Sequence, residues 1–430
     1  MRARVLDRVP HPLLFLLCCL SAAVGGEWPG WRGPTCDGAS TESGLPERLD
    51  DSTRRWLRPL PGVGDATPAV WGERVFVTAI DRDSALFVVL ALRRDDGQVL
   101  WRQEVGIAFN PTHRDDLAAP SPVVDGERVV VLFGSGDLAA FSHDGTPLWR
   151  RNLQKDHGKF TNQWVYGSSP LLLDGVLNLQ VLQTSPDAVA ATARTGSYVL
   201  GIDARTGKDL WKHPRPCPAR GESQDSYTTP LPFTTGSTTQ VLVAGGDCLT
   251  GHDPATGVER WRFQGWNAGG AKDWRLITSP LVAADRVILC TARGRRLLAL
   301  TPDAAGGMRE AWSSDALSSD VAAPLYYRGS LYVLNGDERE LACFDPADGT
   351  LRWRGRFTTS GVIRASPTAG DGRIYAMSET GEVVVFASDA FRVISSTTLP
   401  SDGPGRASIA LAHGQVFVRT ANALHAFARP

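Results

Sequence analysis

Aromatic and charged residues crowd into a few polar stretches of this 430-residue chain. QKDHGKFTNQWVYGS carries Trp164 and Tyr166, and PCPARGESQDSYTT carries Asp225 and Tyr227. WNAGGAKDWRLIT carries Trp266, Lys272, Trp274 and Arg275, and TTSGVIRA carries Arg364. Ring faces beside carboxylates and cations suit a small planar, anionic or sugar-like ligand. They name no reaction. The chain has no G-x-S-x-G elbow, no P-loop and no HExxH. His113, His143, His157, His213, His252, His413 and His425 never stand at ligand spacing, so no catalytic and no metal-binding residue is assigned. A hydrolase resting on loop carboxylates alone would leave no motif, and nothing here favours one. A blander reading stands beside the binding one. Surface loops are polar in any protein, and exposed Arg–Asp pairs contribute only ~0–1 kcal/mol. The expectation of a binding face therefore rests on the loops converging, not on any one residue.

What would make them converge is a repeat. An apolar–Trp pair with a basic residue nearby recurs at Trp56, Trp101, Trp149, Trp211, Trp261, Trp312 and Trp353. A small residue followed by proline interleaves with it, at Pro68, Pro122, Pro170, Pro230, Pro280, Pro324 and Pro367. One unit, SPVVDGERVVVLFGSGDLAAFSHDGTPLWRR, reads as four short strands parted by Asp-Gly and Gly turns. Four strands in each ~40–60 residues is the period of β-propeller blades. Proline suits the start of the innermost strand, whose free edge loses little with a missing N–H. The tryptophan of the outermost strand can lie between neighbouring blades while its indole N–H meets a carbonyl. Trp164, Trp266 and Trp274 stand outside this frame, so blade packing does not explain them.

The units predict an all-β, eight-bladed propeller. The last piece, ASIALAHGQVFVRTANALHAFA, holds three strands, and the stretch around Trp56 has a clamp tryptophan with no strands before it. Pairing the two closes the ring and removes an exposed edge. Seven blades is the alternative, should the tail pack irregularly. Loops joining an outermost strand to the next innermost one would then cover one face around the axis, and these are the polar stretches named above.

Charge is balanced, 45 basic against 46 acidic residues, which gives no footprint for nucleic acid. Arg2, Arg4 and Arg8 precede an apolar run over residues 13–24 and small residues at Ala22, Ala23, Gly25 and Gly26. The run is shorter than the ~20 residues of a membrane span and fits a cleaved leader. A lipid anchor on Cys18 or Cys19 is the lesser alternative, because the small residues lie downstream of both. The expected organisation is a signal peptide over residues 1–25, an extension over 26–50 and the propeller over 51–430, without a transmembrane segment after cleavage. That places a monomer in the periplasm or outside the cell. Cys36, Cys217, Cys248, Cys290 and Cys343 remain, scattered and odd in number. A bridge between Cys36 and Cys217 is left open.

The pattern DARTGKDLW, residues 203–211, resembles the tryptophan-docking repeat of pyrroloquinoline quinone (PQQ) dehydrogenase-like propellers. The opening EWPGWRGPTCDGAS, residues 27–40, is similar to the W-P-x-W-R-G-P start of exported PQQ-repeat proteins of the planctomycete type. The resemblance spans nearly the whole chain after the leader and implies the eight-bladed fold. It is shared by catalysts and non-catalysts, so it leaves activity open. As an enzyme, such a chain would be a quinoprotein alcohol or sugar dehydrogenase. It would need an aromatic floor, cations for the three PQQ carboxylates, usually a Ca²⁺ held by oxygens, and a carboxylate base. Family members that oxidise alcohols also carry adjacent cysteines, which this chain lacks after its leader. The expectation is a binding or interaction module, with a protein partner or a small planar or sugar-like ligand at the loop face. No cofactor is assigned, and PQQ with calcium belongs to the alternative.

Overall fold

The computed structural model describes residues 26–108, 117–184 and 196–430. The expected leader lies outside them. Eight antiparallel sheets follow one another around an axis. We number the blades by their innermost strands: blade 1 (62–107), blade 2 (123–152), blade 3 (171–214), blade 4 (231–264), blade 5 (281–314), blade 6 (325–356), blade 7 (368–398) and blade 8 (410–428). Blade 8 takes its outermost strand, Arg54–Pro59, from the start of the chain, with Leu57 opposite His425 and Pro59 opposite Ala423. The ring is therefore closed by the two ends of the fold, and the seven-bladed alternative falls away. Blade 1 departs from the plan: a short added strand, Gly62–Val63, pairs beside its innermost one.

Burial follows position in the blade. Second strands such as Arg128–Leu132 are buried at every residue, because neighbouring blades cover both faces. Outermost strands such as Asp209–Pro214 alternate exposed with half-buried residues. In each of the eight sheets the register slips beside the tryptophan position, as between Gly201 and Ile202 opposite Trp211, and blade 1 has a second slip between Phe87 and Val88. A bulge re-aims a side chain, and here it turns the indole toward the next blade.

The glycine of the repeated turn receives that ring. Gly207 has φ +71, and a Cβ on it would lie 2.6 Å from Trp149 Cδ2 of blade 2. Glycine is needed there both for its backbone and for the space above it. Indole N–H groups donate across the seam at Trp56 (Arg94 O, 2.7 Å), Trp101 (His143 O, 2.9 Å), Trp149 (Ala204 O, 2.9 Å) and Trp312 (Pro346 O, 3.0 Å). The expected carbonyl is not met everywhere. Trp261 donates to Gln240 Oε1 at 2.6 Å and packs with Met308, because the longer turn of blade 5 offers it no glycine seat. Trp211 lies on Gly257 with its Nε1 unpartnered. Trp353 meets Phe391, ring centroids 6.3 Å apart, where the other turns have glycine.

Blade 7 has no tryptophan, and the chain before the propeller fills its seam. Leu45 and Leu49 are buried there with Tyr375, Val385 and Leu411, and the Tyr375 hydroxyl donates to Pro46 O at 2.9 Å. Upstream, the same segment crosses the far end of the axis. Trp28 pairs with Val70 of blade 1, and Val124 N of blade 2 donates to Pro29 O at 2.8 Å. Arg32 donates to Pro324 O at 2.5 Å and Pro367 O at 2.7 Å, at the starts of blades 6 and 7. Ala369 N then donates to Gly38 O at 2.9 Å. Burial pulls the Arg32 pKa down to about 10. The W-P-G-W-R-G stretch is thus a plug that ties opposite blades together.

Candidate functional site

On the other face the interblade loops enclose a cavity of about 480 Å³ on the axis. Trp164, Tyr227, Arg275 and Arg364 line it, each from a different loop, and Trp31 of the plug closes its far end. Its collar is made by the residues just before the blade prolines. Thr67 N donates to Ser121 Oγ at 3.0 Å, Ser121 N to Ser169 Oγ at 2.9 Å, and Ser169 N to Thr229 Oγ1 at 3.2 Å. Thr229 N donates to Ser279 Oγ at 2.9 Å, Ala323 N to Ser366 Oγ at 2.9 Å, and Ser366 N to Ser408 Oγ at 3.2 Å. Six of the eight junctions between blades are thereby fastened by one backbone-to-hydroxyl bond; the exceptions are blade 5 to blade 6, where Ala323 has no hydroxyl, and blade 8 to blade 1, where among the described residues the Thr67 hydroxyl accepts nothing.

Charge at the mouth is arranged in pairs. Glu222 accepts from Trp164 Nε1 at 3.0 Å and meets Arg275 at 3.3 Å, which fixes both at the wall. Across the mouth, Glu379 lies 2.7 Å from Arg406 and 3.8 Å from Arg364. Arg364 also meets Asp337 at 3.3 Å, and Arg406 meets Asp65 at 3.5 Å. Tyr227 accepts from Trp164 N at 3.2 Å and donates to Asp225 at 3.4 Å; burial first, then Asp225, raises its pKa.

The other candidates lie elsewhere. Asp225 is fully buried and holds two loops together, accepting from Gln163 N at 2.7 Å and Thr184 Oγ1 at 2.9 Å. Its pKa is raised, chiefly by burial. Tyr166 is buried, donates to Gln180 O at 2.9 Å and stacks on Phe160. Trp266 stacks on Phe263. Trp274 lies under the Arg295 guanidinium, 5.3 Å from the ring centroid, and Lys272 is exposed. Sequence reasoning did not assign Trp31, Asp65, Arg406 or the collar hydroxyls to the site. The recurrent Ser/Thr before proline was the available signal, read only as a strand start. Cys36 sits in the plug, Cys217 packs against Gly246 on the loop face, and both are free thiols, so the open bridge is not formed.

The repeat, the docking geometry and the closed ring point to one family. A family model described as outer membrane protein assembly factor BamB matches residues 48–161, 176–307 and 302–427. The chain belongs to this BamB-like PQQ-repeat family. BamB of Salmonella typhimurium is 25% identical over 335 residues, 69% of this chain and 79% of that one. Polyvinylalcohol dehydrogenase of a Pseudomonas species is 25% identical over 235 residues, 48% of this chain but 35% of that enzyme. Among solved structures, BamB of Moraxella catarrhalis is similar at a TM-score of 0.64 and 15% identity, covering 87% of this chain and 99% of that one. A europium-containing methanol dehydrogenase is similar at a TM-score of 0.68 and 12% identity, covering 93% and 90%. At such identities the structures speak for the fold alone.

One of the similar proteins is a dehydrogenase, so the cavity can be tested for PQQ with calcium. Trp31 and Trp164 could offer a ring face. The charges do not match. Among the described residues, the guanidiniums at the mouth, Arg275, Arg364 and Arg406, each already face a carboxylate, leaving little for three carboxylates of a cofactor. Among the described residues, no group of three or more His, Cys, Asp or Glu could hold a metal ion. The described residues do not fit PQQ with calcium. No helix among them is long and apolar enough to cross a membrane.

Proposed function

We propose that the chain is an exported, monomeric binding module of the cell envelope, with its ligand or partner seated in the loop funnel. The observation that carries this reading is the meeting of Trp164, Tyr227, Arg275 and Arg364, from separate loops, at one blind cavity. Their side chains are held before any ligand arrives, by Glu222, Asp225 and Glu379, which lowers the cost of binding. The Salmonella typhimurium relative is by name an assembly factor, which favours a protein partner over a turnover substrate.

Capture of partners from envelope extracts by the full chain tests it. The triple variant Trp164→Ala, Arg275→Ala, Arg364→Ala is expected to retain the fold and lose the captured species. Undiminished capture would remove the funnel as the site. The dehydrogenase reading has its own test: PQQ and Ca²⁺ are added, and absorbance and dye reduction with alcohols or sugars are followed. No turnover is expected; a bound-quinone band with turnover would replace the binding reading.

A further inference from the structure

We infer that the blind end of the funnel receives the carboxylate tip of an elongated ligand, inserted end-on; the inference rests on the binding reading above. The far end is shut by Trp31, with Arg32 locked into the blades beneath it, so an occupant must terminate there. The collar that surrounds the tip offers donors. The hydroxyls of Ser121, Ser169, Thr229, Ser279 and Ser366 each accept a backbone N–H from the preceding blade. Among the described residues none of these hydroxyls donates to a protein acceptor, and all five residues line the cavity. Thr67 Oγ1 is buried on the collar with no partner at all. A blind, donor-rich end compensates the desolvation of an acceptor-only group and leaves an amide or ammonium tip unpaired.

Charge sets how many negative charges the tip carries. Of the ionised groups that line the cavity among the described residues, three are guanidiniums, Arg275, Arg364 and Arg406, and one is a carboxylate, Asp65. Glu222, Asp337 and Glu379 engage the guanidiniums without lining the cavity and, with Asp65, offset their charge in full. No net positive charge is left, so the collar hydroxyls must hold the tip and it carries at most one carboxylate; a polyanion would be repelled. The Trp31 ring gives the carbon next to the carboxylate an apolar contact. Two sources share this chemistry, the C-terminus of a polypeptide and a small sugar acid.

Calorimetric titration of the full chain at neutral pH distinguishes them. The probes are N-acetyl-alanyl-phenylalanine against its C-terminal amide, and glucuronate against glucose. One acid is expected to bind at least about tenfold more tightly than its neutral counterpart, and which pair shows the ratio identifies the source. In Thr67→Val that ratio should fall at least about threefold; its thermal midpoint should hold, because the hydroxyl has no partner in the fold. Equal affinity of acid and neutral probe would overturn the carboxylate assignment while leaving the funnel reading intact. Silence from all four probes, or an unchanged ratio in Thr67→Val, would also overturn it. Loss of the funnel reading itself shows separately, as partner capture that survives the triple variant.

Discussion

The seam between blades 2 and 3 and the seam between blades 7 and 8 solve one problem with different parts. In the first, Trp149 lies on Gly207 and donates to Ala204 O, all within the repeat. In the second the repeat has lost its tryptophan, and Leu45, Leu49 and Pro46 come from outside the propeller to fill the gap. A ring tolerates a missing clamp when the free end of the chain can reach it. The cost is that closure now depends on a segment fixed at many points, from Trp28 through Arg32 to Leu49.

That contrast can be broken experimentally. The largest effect is expected from Leu45→Ala with Leu49→Ala, which should cost about 2–5 kcal/mol at each buried position. Chemical denaturation would measure it, and a loss no larger than that of an exposed Leu148→Ala would show that the extension is not part of the seam. The closure strand sharpens the point through pH. His425 is fully buried opposite Leu57, its ring nitrogens lack partners, and burial holds its pKa at about 4. The folded state therefore refuses a proton that the unfolded chain accepts below about 6.5. Stability should be greatest above that pH, fall by about 3 kcal/mol as pH drops toward 4, and level off below it. The difference in midpoint between wild type and His425→Gln should follow the same curve; a pH-independent difference would refute it. His252, also held at about 4 by burial, adds a fall of the same sign in both proteins.

Within the repeat seams the effects are smaller. Gly207→Ala should cost about 1–3 kcal/mol, from positive φ and overlap with Trp149. Gly306→Ala faces open space, so it should cost only the backbone share, up to about 1 kcal/mol. Equal losses would mean that the indole contact contributes nothing. Smallest is the indole hydrogen bond. Trp149→Phe should lose about 1 kcal/mol more than Trp211→Phe, whose N–H has no partner.

Much of this fold was legible before any coordinate. The Trp spacing, the Asp-Gly turns and the prolines gave the blades, and the orphan clamp at Trp56 gave the closure. The site was legible only in part. Trp164, Trp266 and Trp274 announced themselves as residues the repeat did not need, yet only Trp164 of the three lines the cavity. Asp225 and Tyr166 looked alike in sequence and proved to be internal supports, because a polar residue in a loop can face the cavity or the loop's own backbone. Trp31 was hidden because a segment outside the repeat carries no periodic signal of where it docks.

Local chemistry, then, was written in the chain itself: strands from short alternating runs, turns from Asp and Gly, and a blade interval from the recurring indole. Those signals act over a few residues, and each blade repeats them. What folding alone decided was which loops share the axis, how the guanidiniums pair with carboxylates, and that the chain's beginning plugs one end and replaces a lost clamp. Some of these contacts join residues more than 300 positions apart, such as Arg32 with Pro367 and Arg406 with Asp65, and no local pattern encodes a partner at that distance.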